Sequence, residues 1–177
     1  MSELNAPATP SPATPWRADV IQDFARSELF QRTFQEGMDL VEETAGYLDG
    51  AGRQASKLLP RDAALAYAAE SMRLTTRLMQ VASWLLVQRA VREGDMAPTA
   101  ACEDRYRLNA EAAAAARETE PPRRDLPRTL TSLADRAERL YERARHLDKR
   151  MYVEPATDMA SNTVLSQLDR LKVAFGS

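Results

Sequence analysis

The C-terminal third of this 177-residue chain contains an apolar heptad repeat. Its apolar residues follow one another at alternating steps of four and three, and they are Leu126, Leu130, Leu133, Ala137, Leu140, Ala144, Leu147 and Met151. This spacing, kept over more than three heptads, aligns the side chains along one stripe of an α-helix. Because a stripe of this length has to be covered by other helices, the repeat predicts an all-α fold.

Two more long helices are predicted upstream of this repeat. The first spans residues 18–50, and its apolar stripe consists of Phe24, Phe30, Phe34, Met38, Val41, Ala45 and Leu48. The second spans residues 61–93, between Pro60, which suits a first helical turn, and Gly94, which suits a helix end. Together with a helix over 126–152 they predict an antiparallel three-helix bundle, each helix being about 45 Å long.

The second helix is apolar on every side between Leu78 and Leu86. A helix of this kind requires burial all round, so we predict that it is the central helix or that it also contributes to an oligomer interface. Aromatic residues and methionine are favoured at the centres of interfaces. The candidate protein-binding residues in this helix are therefore Met72, Met79, Trp84 and Leu85.

The bundle domain is predicted to cover residues 17–152, with a weakly docked helical segment between Pro98 and Pro121. Residues 1–16 carry four prolines and are predicted to form a disordered arm. Residues 153–177 are predicted to form a flexible tail with a short amphipathic helical segment, which needs a surface to lie on. The apolar residues of this segment are further protein-binding candidates: Val164, Leu168, Leu171 and Phe175.

The composition argues against several classes of function. A formal net charge of -2 lacks the basic excess of a typical nucleic-acid-binding protein. The N-terminal residues have no apolar core segment, and the charge-free apolar stretch of the second helix, 78–88, is too short to span a bilayer. A single cysteine fits a reducing compartment. We therefore expect a cytoplasmic protein that binds no nucleic acid and does not insert into a membrane.

The sequence offers little for catalysis or metal binding. The single histidine, His146, has Glu142 four residues before it, but the helical di-metal pattern needs two such clusters. Cys102 has no recognisable orienting group around it. An acidic group opposite the apolar stripe of the first helix is expected to be solvated: Glu36, Asp39 and Glu43. No nucleotide-binding glycine motif is present, so we predict a non-enzymatic protein without cofactor or metal.

Five stretches of the sequence resemble the RcdA family of alphaproteobacteria. They are Ser27–Met38, Leu40–Thr44, Tyr47–Gly50, Glu70–Gly94 and Arg139–Arg143, and the similarity extends over about residues 20–152. The long stretch in the second helix is a specific match.

The resemblance implies a three-helix bundle that forms a homodimer and acts as a protease adaptor. Such an adaptor brings cargo, such as cell-cycle transcription regulators, to the ATP-driven protease ClpXP at the cell pole. The resemblance also implies two further partners, a response-regulator-like priming factor and a cyclic-di-GMP-binding protein. It supplies no catalytic or cofactor-binding residue. The alternative interpretation is a helical dimer that scaffolds a polar protein complex without delivering substrates.

Overall fold

The computed structural model describes residues 15–108 and 124–152, and these residues form helices and no strand. The elements are α1 (Pro15–Arg26), α2 (Glu28–Asp49), α3 (Ala51–Lys57), α4 (Arg61–Glu93), α5 (Pro98–Ala101), a 3-10 turn (Asp104–Tyr106) and α6 (Arg128–Tyr152). The predicted all-α class is confirmed. The predictions for residues 1–14, 109–123 and 153–177 lie outside the described residues.

The three long helices α2, α4 and α6 form the bundle, and α4 runs parallel to α6. On α4, Arg77 donates a hydrogen bond to Glu138 at 3.0 Å, and Trp84 donates one to Asp148 at 3.0 Å. Residue numbers thus rise together along the two helices. Helix α6 therefore begins near the end of the bundle where α4 begins, and a crossover rather than a hairpin joins the two.

Helix α2 is antiparallel to both of its neighbours. Arg136 binds Glu43 and Arg143 binds Glu36, with N–O distances of 2.7 and 2.5 Å, so residue numbers rise along α6 as they fall along α2. The predicted antiparallel packing thus describes α2 against α4 and α6, whereas α4 and α6 pack in parallel. An up-down-up bundle, by contrast, would place α4 and α6 antiparallel.

The predicted first helix, 18–50, is broken at Ser27. The Ser27 backbone is extended, with φ -72° and ψ 152°, and its hydroxyl accepts a hydrogen bond from the Phe30 N–H at 3.1 Å. A side-chain oxygen in this position satisfies one of the unpaired N–H groups at a helix start. Ser27 therefore begins α2 as a new helix and lets α1 turn onto α4. The predicted stop at Gly50 is confirmed as the end of α2.

Helix α1 covers the most apolar part of α4. Ile21 and Ala25 are fully buried, and the rings of Phe24 and Trp84 have their centroids 5.7 Å apart. The predicted central position of α4 agrees with this packing, because α1, α2 and α6 all pack against it. Despite the apolar character of α4, no helix among the described residues combines the length and the hydropathy needed to cross a bilayer.

The heptad repeat of α6 and its preceding turn faces the core. All of its residues from Leu126 to Met151 are buried, apart from Leu147, which is partly buried against the same core. On α2 the outcome is mixed, because Ala45, predicted on the apolar stripe, is exposed while Thr44 is buried. The 3-4 spacing thus predicted the buried face of α6 well, whereas on α2 the buried residues after Phe30 each lie one position before a predicted one: Thr33, Gly37, Leu40 and Thr44.

Candidate protein-binding surface

Four large apolar side chains on α4 lie in solvent at intervals of seven residues. Leu65, Met72, Met79 and Leu86 are 62%, 72%, 64% and 51% exposed, and we call them the α4 stripe. Residues seven apart stay on one face of a helix, with a drift of about 20° per heptad. Single exposed leucines are ordinary, but an aligned row of them is typical of an interaction site.

The side chains between the large residues of the α4 stripe are small and exposed. They are Ala68, Ala69, Thr75, Thr76 and Ser83. Small residues allow another backbone to come close, while methionine adapts its shape to the surface that it meets. The face from Leu65 to Leu86 thus presents an apolar surface of alternating large and small residues without a charge.

The charged residues of this part of α4 point away from the α4 stripe. Between Ala63 and Gln88 the sequence has three of them, Glu70, Arg73 and Arg77. The side chains of Glu70 and Arg77 are buried, at 1% and 6% exposure, and that of Arg73 is 18% exposed and pairs with Glu70 at 3.0 Å. A helix with ionic groups inside and large aliphatic groups outside departs from the ordinary arrangement of a surface helix.

Arg77 is stabilised inside the bundle by partners on α6. Its Nε donates to Glu138 Oε2 at 3.0 Å, and its guanidinium lies over the Tyr141 ring, 4.1 Å from the centroid. Burial raises the pKa of the Tyr141 hydroxyl, while the charge of Arg77 acts in the opposite direction. Because removing a charge from water is costly unless it is paired, these contacts fix the orientation of α4 and keep its apolar face outward.

An open groove of about 480 Å³ adjoins the α4 stripe at Met79. One wall is α4, with Met79, Ser83 and Val87, and the other wall includes Tyr106 and Leu108. Trp84, whose side chain is almost fully buried, also lines the groove. A depression of this volume, lined largely by apolar atoms, falls in the size range of sites that hold a ligand or side chains of a partner.

Asp148 connects the groove to the end of α6. Its Oδ1 accepts a hydrogen bond from Trp84 Nε1 at 3.0 Å, and Arg107 Nε lies 3.6 Å from its Oδ2. Burial raises the pKa of this carboxyl, although the hydrogen bond from Trp84 and the charge of Arg107 lower it in part. Asp148 thus joins α4, α6 and the segment after the 3-10 turn at a single buried point.

The structure separates the predicted binding residues of α4 into two groups. Met72 and Met79 are exposed and belong to the α4 stripe. Trp84 and Leu85 are 2% and 0% exposed, so the structure places both in the core of this chain, although Trp84 also lines the groove. Trp84 is covered by Phe24 of α1, which was predicted as one helix with α2, and Leu85 lies against Gly37 of α2. The other predicted binding residues lie outside the described residues: Val164, Leu168, Leu171 and Phe175.

The side chains weighed for catalysis do not come together in the described part of the chain. Residues 15–108 and 124–152 hold no group of three His, Cys, Asp or Glu side chains that could bind a metal ion. Cys102 is buried and donates to the Pro98 carbonyl at 3.3 Å, and burial raises the pKa of its thiol. His146 is exposed. Glu36 and Glu43, expected to be solvated, are half-exposed and bind arginines of α6.

Leu65 and Leu86, two members of the exposed row, were not predicted as binding residues from the sequence. The signal was present, because Leu58, Leu65, Met72, Met79 and Leu86 are each seven residues apart. Leu58, which directly follows α3, is also 86% exposed. The surrounding alanines and leucines concealed this second heptad row, since a helix that is apolar all round does not show which of its faces is buried.

Known proteins resemble this chain over most of its length. Residues 21–175 match the model of a family described as a protein of unknown function, DUF1465, and no curated protein matches the chain. Among solved structures, the crystal structure of RcdA from Caulobacter crescentus CB15 shares 66% sequence identity with it. The match covers 75% of this chain and 98% of that chain, with a TM-score of 0.62. The chain therefore belongs to the family of RcdA, described by the DUF1465 model, as its sequence resemblance predicted.

Proposed function

We propose that this protein is a non-enzymatic adaptor that tethers cargo proteins, such as cell-cycle transcription regulators, to the ClpXP protease for regulated degradation. The observation that carries the proposal is the α4 stripe, an uncharged apolar face left in solvent while the ionic residues between Ala63 and Gln88 of the same helix are largely buried. Membership of the RcdA family supports the same function, because the resemblance to that family implies an adaptor.

The proposal includes the partners that an adaptor of this kind needs. They are ClpXP with a response-regulator-like priming factor, the cargo, and a cyclic-di-GMP-binding protein, assembled in the cytoplasm at the cell pole. An adaptor accelerates degradation by holding two partners together, which raises their effective concentration to the millimolar range for a short flexible link. Binding surfaces suffice for this function, and no bond has to be made or broken by the adaptor.

The same face suits association with a second copy of the chain, so the proposal includes a homodimer. Each large side chain of the α4 stripe can lie against the small residues of the partner's α4, as in other pairings of helices with heptad repeats. Fully burying one leucine or methionine stabilises by about 1.5–3 kcal/mol, so four partly exposed ones contribute several kcal/mol. A C2 dimer uses this face on both subunits.

Replacing Met72 and Met79 together by aspartate tests both parts of the proposal. The two side chains are exposed, so the variant is expected to fold with unchanged helix content by circular dichroism. We expect it to sediment as a monomer and to lose at least tenfold in the rate of cargo turnover by ClpXP with the priming factor. Gln31→Asp, at an exposed position of α2, is the matched control and should keep both properties. Wild-type protein that leaves cargo turnover unchanged would refute the adaptor function.

The alternative of a scaffold without substrate delivery predicts a different result in cells. Deleting the gene would then misplace the polar complex but leave the half-life of the cargo regulators unchanged. An adaptor instead predicts a longer half-life of at least one regulator, which a pulse-chase measurement detects.

A further inference from the structure

We infer that the groove beside Met79 is the docking site of this chain's own C-terminal segment, residues 164–175. The segment is proposed to bind in cis, with Val164, Leu168, Leu171 and Phe175 towards the groove. This inference concerns the chain's own tail and does not depend on which partner the α4 stripe binds.

The position at which α6 ends supports this assignment. Asp148, one helical turn before Tyr152, accepts the hydrogen bond of Trp84 and lies beside Arg107, and both of these residues line the groove. One turn of an α-helix advances about 5.4 Å. The tail therefore leaves the bundle next to the groove and not at its far end.

The length of the chain outside the structure is sufficient. Eleven residues, 153–163, separate Tyr152 from Val164, and a chain of this length spans at most roughly 40 Å when extended. The tether is short enough to keep the segment near the groove at an effective concentration in the millimolar range. The apolar steps of four, three and four between Val164 and Phe175 place these side chains on one face of a helix.

The chemistry of the groove matches that face. Its walls present Met79, Val87, Tyr106 and Leu108 to an apolar ligand, while Arg105 and Arg107 are paired with Glu103 and Asp148. The model of the family also continues through residue 175, so it includes the segment. Docking at Met79 covers part of the α4 stripe, and the tail would then compete with whatever binds there.

A spin label at the end of the tail measures this docking in the full chain. We place the label on Ser177→Cys in a Cys102→Ala background and record the backbone amide signals of the bundle. The amide signals of Ser83, Tyr106 and Leu108 should lose most of their intensity, compared with the spectrum recorded after the spin label has been reduced. Amides of Arg61 and Asp62, about 33 Å from Ser83 along α4, should keep theirs.

Two variants and a mixed sample make the result specific. Leu168→Asp should restore the groove signals, whereas Ser166→Asp, the same charge on the opposite face of the segment, should not. In a Met72→Asp background, which disrupts pairing through the α4 stripe outside the groove, equal mixtures of labelled, NMR-silent protein and unlabelled, isotope-enriched protein should show no broadening if docking is in cis. Uniform broadening, broadening centred on Leu65, broadening that appears only through the mixture, or insensitivity to Leu168→Asp would each overturn the inference.

Discussion

Asp148 is a carboxyl group held almost entirely out of solvent, where α4, α6 and the segment after the 3-10 turn meet. Its side chain accepts the Trp84 N–H and faces Arg107, and it is 3% exposed. Nothing in the local sequence distinguishes it from the exposed acids of α6, because its burial depends on Leu108 and Trp84, which are remote in the chain. A residue of this kind is visible only when the three segments have been brought together.

The raised pKa of Asp148 predicts a pH-dependent contribution to stability. Because the folded state binds this proton more tightly than the unfolded state, the free energy of unfolding falls as pH rises from the ordinary carboxyl pKa through the raised folded pKa. Asp148→Asn keeps an oxygen for Trp84 and removes the titration. We expect the stability of wild type relative to Asp148→Asn to fall across this window, as measured by urea unfolding at a series of pH values.

The control for this experiment is Asp148→Ala. It leaves the buried Trp84 N–H without an acceptor, which costs about 1–3 kcal/mol, and it should be the least stable of the three proteins near neutral pH. The prediction concerns the free energy of unfolding of wild type minus that of Asp148→Asn. A difference that stays constant with pH, or that rises with pH, would contradict it.

The helices differ in how much of their boundaries and buried faces could be predicted from their own sequences. The seam of α6 was predictable residue by residue, because its 3-4 spacing is uninterrupted and one face is charged. The break between α1 and α2 was not, because Ser27 is a single cap within a run that still reads as helical. The orientation of α4 was beyond reach, since its outward face is as apolar as its inward one and the deciding contacts come from Glu138 and Tyr141.

Two glycines within α2 provide a test at the scale of this element. A Cβ at Gly37 would lie 2.7 Å from Leu85 Cδ1, whereas a Cβ at Gly46 has no atom within 4 Å. Alanine favours a helix over glycine by about 1 kcal/mol, so Gly46→Ala should stabilise the protein by about that amount. Gly37→Ala should destabilise it instead, because overpacking a core typically costs about 1–3 kcal/mol.

Chemical denaturation of the two alanine variants gives the comparison directly. Equal stabilisation by both would mean that α2, α4 and α6 do not approach each other at Gly37 as closely as the structure has them.

At the scale of the whole molecule, the described residues form a three-helix bundle to which α1 contributes a fourth packed helix. The sequence predicted the extents of α4 and α6 well but merged α1 and α2 into one helix, and it predicted that α4 needs more cover than two neighbours give. It did not reveal that α1 supplies part of that cover. The parallel arrangement of α4 and α6 was also hidden, because helix periodicity carries no information about chain direction.

If α1 is an integral part of the core, truncating its buried side chains should cost as much as truncation within the bundle. Ile21 is 0% exposed, so Ile21→Ala is expected to lower the free energy of unfolding by about 2–5 kcal/mol. The neighbouring Val20 is 36% exposed, and Val20→Ala should change the free energy of unfolding by only about 0.5 kcal/mol. A small effect at both positions in urea titrations would show that α1 is only loosely attached.

The partners of the buried groups on α4 have a consequence for how the chain matures on the ribosome. Arg77 and the Trp84 N–H both find their hydrogen-bond acceptors on α6, at Glu138 and Asp148, which are translated more than 60 residues after them. Until α6 leaves the exit tunnel, these polar groups stay hydrated, and the helices that precede it cannot form a dry core. Folding of this protein is therefore completed after translation of α6 rather than progressively from the N-terminus.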